Sequence, residues 1–525
     1  MKHKDIGIRY QNEELSVGLN KIFFKDIYEA PDVEIGVDGY LILDKNIKES
    51  LQQETLAKIH RMYKTYGIYF VRAIKSGVFN LVIHDKQLKK IFFVTDLFGR
   101  KPLYYRQDGK TLTVSPDIRD IKVPYECIDY VSVSQFLKYG VFLDNNTQYD
   151  AVLEIGPGTI LEWDIDKGTK RISKYTYKME NVTDNYHKLF LQALDRLYTD
   201  ELDYVLHLSA GLDSRYILAN WKNKKDLVTL SRVLPESEID RKELETATQL
   251  SKIAQAKDHV VMNRHTMSFL EMKDALKMFD PFDLRFVQQG EGKGYPINVT
   301  GGMQGMLSGS FKMLRHKKFI LTLLTGYQFN TVSANVLDKA ITKIPDDYMD
   351  YLSDDFKQYI ISFPLSKVNY DIEEYHQMAK LRRFSQDRTK ESLTPFIDYD
   401  LCYNTEMIQN RTNNKVYYKM LRTLPDEYKN VWTTSLRYPL SYPRRMQLVA
   451  GIMRQMKFMK QPADVSKEGV GALIMQKEDL KIGMSNEIAK DNLLKNEMSD
   501  LSGRKGYFFF LLFLIAYWLN NEVEK

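Results

Sequence analysis

Apolar residues in the first 175 positions come in short β-branched and aromatic runs, broken by turn residues. They are VEIGVDGYLIL (33–43), GVFNLVIHD (77–85), KKIFFVTD (89–96), PLYYRQ (102–107) and TLTVSP (111–116). Such runs predict strands, and Asp108-Gly109 between the last two predicts a hairpin turn. ETLAKIHRMYKTYG (54–67) instead carries its apolar positions at helical spacing. LEIGPGTILEWD (153–164) adds two strands about a Pro-Gly turn. This region reads as α+β, built on antiparallel sheets.

From about 185 the period changes. HKLFLQALDRLY is an amphipathic helix, and LDYVLHL (202–208) is a buried strand. Helix and strand then alternate: SRYILANWK (214–222), DLVTLSRVL (226–234), RKELETATQLSKIAQA (241–256) and DHVVMN (258–263). Alternation of this kind predicts βαβ units and a parallel sheet. Beyond 310 the pattern is mostly helical. The change falls in KGTKRISKYTYKMENVTD, so the expected domains are 1–175 and 185–525.

Composition narrows the class. The chain has 525 residues, 44% hydrophobic and 27% charged, enough for two or three ordinary cores. Its net charge of +6 is small and scattered, which implies no nucleic-acid surface but would suit an anionic substrate. Cys127 and Cys402 lie far apart and form no metal or redox spacing, so a reducing, cytoplasmic home is the simplest reading. The apolar stretch YFFFLLFLIAYWL (507–519) is shorter than the roughly 20 residues that span a bilayer. A terminal helix packed into the core is the first expectation for it; peripheral membrane contact is the second.

One stretch carries candidate chemistry. The strand ending at Leu208 delivers the chain into Ser209-Ala210-Gly211-Leu212-Asp213-Ser214, and a helix follows. Small residues let backbone amides approach an anion, and a helix N-terminus favours negative charge. Two hydroxyls could bind phosphate oxygens, and Asp213 could hold Mg²⁺. A Gly-containing turn with Ser or Asp as helix cap explains the same residues. Neither GxxxxGK[ST] nor GxGxxG is present.

The pattern S-[GA]-G-x-D-S resembles the pyrophosphate loop (PP-loop) of the ATP pyrophosphatases, which cleave ATP between its α and β phosphates. The N-terminal half is similar to the glutamine amidotransferase domain of the asparagine synthetase family. There a Gly-x-Phe strand leads to Asp96, Gly99, Pro102, Leu103, Tyr104 and Tyr105, and IGPG (155–158) resembles the closing turn. Downstream, LTPFIDYDL (393–401) resembles the family's Pro-Phe-x-Asp segment. NKVYYKMLRTLPDEYKNV (414–431) resembles the helix whose lysine faces the reacting phosphates. The resemblance implies an Ntn-hydrolase-like domain followed by a PP-loop synthetase domain.

Two departures qualify what it implies. Glutamine hydrolysis in this family uses an N-terminal cysteine as nucleophile, whereas residue 2 here is Lys and no cysteine precedes Cys127. VDGY (37–40) resembles the glutamine-binding strand VNGEIYN without its Asn and Glu. The expectation is a domain without glutaminase activity. At VTGGMQGMLSGS (299–310) the family reads S/T-G-x-x-x-D-E, its Asp helping to bind Mg²⁺ and its Glu serving as base. In register with Thr300-Gly301, those positions are Gly305 and Met306.

By the resemblance, ATP would be held by Leu208, Ser209, Ala210, Gly211, Leu212, Asp213 and Ser214. Arg232 and the 229–233 strand end would border it, and Thr300 and Gly301 would complete the cradle. Asp213 would carry Mg²⁺, and Lys415, or Lys419, would neutralise charge on the phosphates. The implied reaction is carboxylate adenylation followed by attack of ammonia or an amine. The implied partners are a small-molecule, sugar-acid or peptide carboxylate and an amine donor. Lasso-peptide cyclases and β-lactam synthetases are family relatives that also lack glutaminase function. A nucleotide-binding pseudoenzyme is the alternative, and a membrane-associated accessory protein is a third. Arg215 is open between an anion contact and a surface cap. Asp240 reads as a solvent-facing charge or a metal support, His207 as a core histidine, and Asp398 as a loop-fixing residue.

Overall fold

The computed structural model describes residues 7–301 apart from 19–21, 25, 122, 143–144, 178–182, 184, 234–237, 264–267, 279 and 283–296. Beyond these it describes 347–354, 357, 391–403, 415–434, 436, 438–443, 446, 477–491, 493–495, 501 and 503–523. Strands of the N-terminal region are β1 (Gly7–Gln11), β2 (Glu14–Gly18), β3 (Tyr28–Glu29), β4 (Val33–Ile42), β5 (Ser76–Asp85) and β6 (Lys90–Thr95). They continue with β7 (Tyr104–Asp108), β8 (Thr111–Ser115), β9 (Leu153–Glu154), β10 (Thr159–Asp164) and β11 (Thr169–Lys174).

These strands form two antiparallel sheets, ordered β2-β1-β8-β7-β9 and β11-β10-β6-β5-β4-β3. Ile8, Tyr10, Phe93, Leu112, Val114 and Trp163 fill the space between them. The other face of the larger sheet packs on α1 (Glu54–Tyr66) through Leu56, Ile59 and Tyr63. A sheet covered on both faces needs near-continuous apolar strands, and β5 is buried at all but one position. The expected Asp108-Gly109 hairpin forms, with Gly109 at φ +57°, where a side chain would be strained. The Pro157-Gly158 turn joins β9 and β10, but these lie in different sheets. β11 falls inside the stretch read from sequence as the change between halves.

The motif around Asp96 is a structural corner. Its buried carboxylate accepts from the amides of Phe98 (2.8 Å) and Arg100 (3.1 Å), closing the turn after β6. Gly99 stands at φ +55°, where an added Cβ would come within 3.1 Å of the Pro157 backbone. The corner then reaches the second half of the chain. Arg100 donates to the Ser392 carbonyl at 3.4 Å, and the Leu97 amide to the Tyr399 hydroxyl at 3.4 Å.

The second half is organised by a parallel sheet of β12 (Tyr204–His207), β13 (Val228–Val233), β14 (Asp258–Asn263), β15 (Ile297–Val299) and β16 (Glu391–Leu393). Its order is β14-β13-β12-β15-β16, with every pairing parallel. The first strand, β12, is therefore central. The chain builds outward through β13 and β14 on one side, then returns to place β15 on the other. The carboxyl ends of β12 and β15 flank the point where the order reverses, which is where open α/β sheets form ligand crevices.

The terminal helix Gly503–Asn521 is enclosed by protein rather than displayed. Every residue from Phe508 to Leu519 is at most 8% exposed, and α2 (Tyr130–Tyr139) and the helix Glu478–Ala489 pack against it. Among the described residues no helix is long and apolar enough to cross a membrane. Burial all round makes each methylene count, so Ile515→Val should cost about 1 kcal/mol, read as a lower urea midpoint. A lipid-facing position would leave the midpoint of the protein in buffer unchanged.

Candidate functional site

The loop after β12 is short because both of its ends are fixed. The Leu208 amide donates to Leu230 (2.8 Å), and Ser231 returns a hydroxyl bond to the Leu208 carbonyl (2.8 Å), tying the strand end to β13. Ser214 accepts the Ser209 amide at 3.2 Å, and Ser209 accepts the Gly211 amide at 3.2 Å. The two hydroxyls lie 3.3 Å apart. Helix α4 (Leu212–Asn220) follows with Gly211 as a cap that makes no side-chain hydrogen bond. Its first-turn amides thus have no side-chain acceptor of the usual kind, which suits them to an anionic ligand.

Two segments distant in sequence close on this loop. Thr300 and Gly301 follow β15, and the Thr300 amide is held by the Leu393 carbonyl at 2.9 Å. A Cβ on Gly301 would lie 2.6 Å from the Asp213 Cβ and 3.1 Å from the Ser214 amide nitrogen, so only glycine permits the approach. From the other side, the helix Lys415–Leu421 brings the Tyr417 hydroxyl to donate to Asp213 Oδ1. The Asp213 carboxyl is pushed up to about 6, chiefly by desolvation, which the Tyr417 hydrogen bond partly offsets.

Arg215 is neither a surface cap nor an anion contact. It is fully buried and donates to the carbonyls of Tyr428 (3.0 Å), Val431 (2.9 Å), Trp432 (2.5 Å) and Ala210 (3.3 Å). Burial lowers its guanidinium to about 10. The Thr434 amide also donates to Ala210, at 3.2 Å, so the 428–434 segment is bound to the back of the loop.

The remaining sequence candidates are placed as follows. Arg232 lies near the carboxyl end of β13, half-buried. Lys415 opens the helix that carries Tyr417, with its side chain outside the described residues. Lys419 is exposed, its ammonium 5.5 Å from the ring centre of Tyr186 on α3 (Tyr186–Leu197). His207 Nε2 is 3.0 Å from Asn298 Oδ1 across β12 and β15. Asp240 sits half-buried in the first turn of α5 (Glu238–Ala254). Gly305 and Met306 lie outside the described residues.

Asp398 fixes its loop twice. It caps the turn beginning at Tyr399 by accepting the Leu401 amide (3.2 Å), and both of its oxygens accept from Arg196 at 2.7 Å. Arg196 also binds Asp400, which accepts the Tyr177 hydroxyl. Burial, with Asp400 nearby, still pushes Asp398 up to about 6 despite Arg196. A folded pKa above the unfolded value near 4 means that the folded state holds the extra proton between about pH 4 and 6. This group's contribution to stability therefore falls as pH rises through that window. Asp398→Asn should flatten the pH dependence of the urea midpoint there.

Tyr417 and the Arg196–Asp398–Asp400 network were not legible in the sequence. Positions 415 and 417 do not share a helix face, so a lysine read as facing the phosphates turns attention away from the tyrosine.

In its donor set the site fits a nucleotide with a divalent cation. Among the described residues no group of three or more His, Cys, Asp or Glu could hold a metal ion, but Mg²⁺ commonly takes one or two carboxylates and completes its shell from phosphates and water. Asp213 is a desolvated carboxylate with one hydrogen-bond donor, Tyr417, among the described residues.

The family described as "Glutamine amidotransferase domain" matches residues 46–176. The glutamine-hydrolyzing asparagine synthetase 2 of Bacillus subtilis (strain 168) is 23% identical over 45% of this chain and 35% of its own length. Residues 46–176 thus match a glutamine amidotransferase domain, and the chain is similar to an asparagine synthetase over about a third of that relative's length.

Solved structures with partial likeness include the allosteric regulatory enzyme of purine biosynthesis, 11% identical, covering 47% of this chain and 64% of its own, at TM-score 0.20. The glutamine phosphoribosylpyrophosphate amidotransferase of B. subtilis, complexed with ADP and GMP, is 10% identical over 59% and 80%, at TM-score 0.19. Scores of this size add nothing to the arrangement described above.

Proposed function

We infer that the protein is an ATP-dependent, amide-forming ligase of the asparagine synthetase type, without glutaminase activity. One observation carries the reading. Residues 208–214, 300–301 and 417, far apart in sequence, converge at the reversal point of the parallel sheet, around one carboxylate and an uncapped helix N-terminus. On this reading residues 1–175 are the amidotransferase-like domain and 185–525 are a PP-loop synthetase domain.

In the reaction, the α4 amides and the Ser209 and Ser214 hydroxyls orient the β and γ phosphates. Thr300 and Gly301 form the opposite wall, and Arg232 borders the nucleotide. Asp213 would hold Mg²⁺, which supplies charge neutralisation on the phosphates. Lys415 stabilises negative charge as the α–β phosphate bond breaks. A substrate carboxylate oxygen attacks the α phosphorus, pyrophosphate leaves, and ammonia or an amine then displaces AMP at the carbonyl carbon.

Loss of glutaminase activity is supported at β4. Where the amidotransferase strand carries Asn, Asp38 is 4% exposed and pairs with Lys101 at 3.0 Å. A buried charge pair in place of a neutral amide changes what the strand can bind. Incubation with glutamine should release no glutamate; release at a turnover comparable to the ligase step would overturn this part. A nucleotide-binding pseudoenzyme is the second reading, favoured by Gly305 and Met306 at the acidic positions. Carboxylate-dependent ATP–pyrophosphate exchange separates the two, since only the ligase catalyses it.

A further inference from the structure

We propose that Tyr417 is a positioning residue for the metal-binding carboxylate, fixing one oxygen of Asp213 so that the other faces the nucleotide. The proposal rests on the nucleotide reading above. Tyr417 is 6% exposed and sits two residues after Lys415, in the first half of the same helix. Its hydroxyl donates to Oδ1 of Asp213, and no other described residue donates to that carboxylate.

The physical need is clear from the surroundings. Gly301 leaves no room for a Cβ beside the Asp213 Cβ, a close approach of backbone that does nothing to orient the terminal oxygens of the carboxylate. The terminal torsion of an aspartate is broad, so an unrestrained carboxylate would spread over many orientations. One hydrogen bond from a buried phenol selects among them. Ligating carboxylates are ordinarily held this way, and removing such a partner typically weakens metal affinity by 10–100-fold. With Gly305 standing at the second acidic position, the orientation of the remaining carboxylate carries more of the metal site.

The link has a second consequence. Tyr417 stands on the helix that begins at Lys415, so the bond also sets where that helix lies relative to the loop.

The test is binding of α,β-methylene-ATP, which cannot be cleaved between the α and β phosphates, measured calorimetrically with Mg²⁺ and with EDTA. Tyr417→Phe keeps the ring and removes only the hydroxyl. It should reduce the Mg²⁺-dependent gain in affinity by about tenfold or more, while binding in EDTA stays within about twofold. In an Asp213→Asn background, Tyr417→Phe should have no further effect on the Mg²⁺-dependent gain. An unchanged gain in correctly folded Tyr417→Phe overturns the proposal and leaves the nucleotide reading intact. Absence of analogue binding to the wild-type protein overturns the nucleotide reading and this proposal with it. Should Tyr417→Phe fold poorly, wild type and Asp213→Asn titrated with Mn²⁺ in the presence of the analogue still decide. Equal Mn²⁺ affinity would remove the carboxylate, and so Tyr417, from the metal site.

Discussion

Asp213→Asn should lower carboxylate-dependent ATP–pyrophosphate exchange by on the order of 10²–10³-fold, the scale on which one preorganised electrostatic contact acts. Asn has nearly the shape of Asp, and its carbonyl oxygen can still accept from Tyr417, so the loop has no steric reason to move. Only the charge is removed. Stability should stay level or rise slightly, because burial already disfavours the ionised form and pushes the carboxyl up to about 6. A large loss of exchange with an unchanged urea midpoint is therefore the expected pair of results. Exchange retained within a few-fold would show that Asp213 holds no metal and would sink the ligase site as drawn. Loss of exchange accompanied by a lowered midpoint would instead mark Asp213 as a structural residue.

The sequence pattern was a good guide wherever local chemistry decides the structure. β14 lies at 258–263 as expected, β4, β5 and β6 match their apolar runs within a residue or two, and Asp108-Gly109 makes its hairpin. Each of these depends on side-chain period or on turn residues, which a short window contains. β1 and β2 escaped notice because GIRYQNEELSVG has few apolar residues and faces its partner sheet with only Ile8, Tyr10 and a few others. β11 escaped for a related reason. Its TKRISK sequence is almost wholly exposed at the edge of its sheet, so it has no apolar face to reveal it.

The site divides along the same line. The 208–214 loop was legible because its small residues and Asp213 are contiguous. Arg215 adjoins it, yet its role depends on carbonyls more than 200 positions away. Nothing local separates a buried clamp from a surface charge. Tyr417 likewise becomes meaningful only once the helix Lys415–Leu421 is seen beside Asp213.

Arg196→Met should destabilise the protein by about 3–5 kcal/mol, the range for removing one partner of a buried ion pair. Asp398 is 2% exposed and takes both short bonds from the Arg196 guanidinium, while Asp400 takes a third. Methionine would fill much of the arginine stem's volume, so the loss comes mainly from two carboxylates left close together without their cation. The deficit should depend on pH. Without Arg196, the raised Asp398 carboxyl would rise further, and more of its ionisation penalty would fall between neutral and alkaline pH. Arg196→Met should accordingly be closer to wild type at pH 5 than at pH 8. Adding Asp398→Asn removes one orphaned charge and should recover part of the stability at pH 8, but little at pH 5. An equal deficit at both pH values would mean that lost packing of the arginine stem dominates. The consequence for function follows from position: Arg196 fixes 398–400 beside Tyr399, whose hydroxyl accepts the Leu97 amide of the N-terminal corner. Loosening that residue should weaken the joint between the two halves before it disturbs the loop at 208–214, so nucleotide binding at pH 5 should survive the substitution.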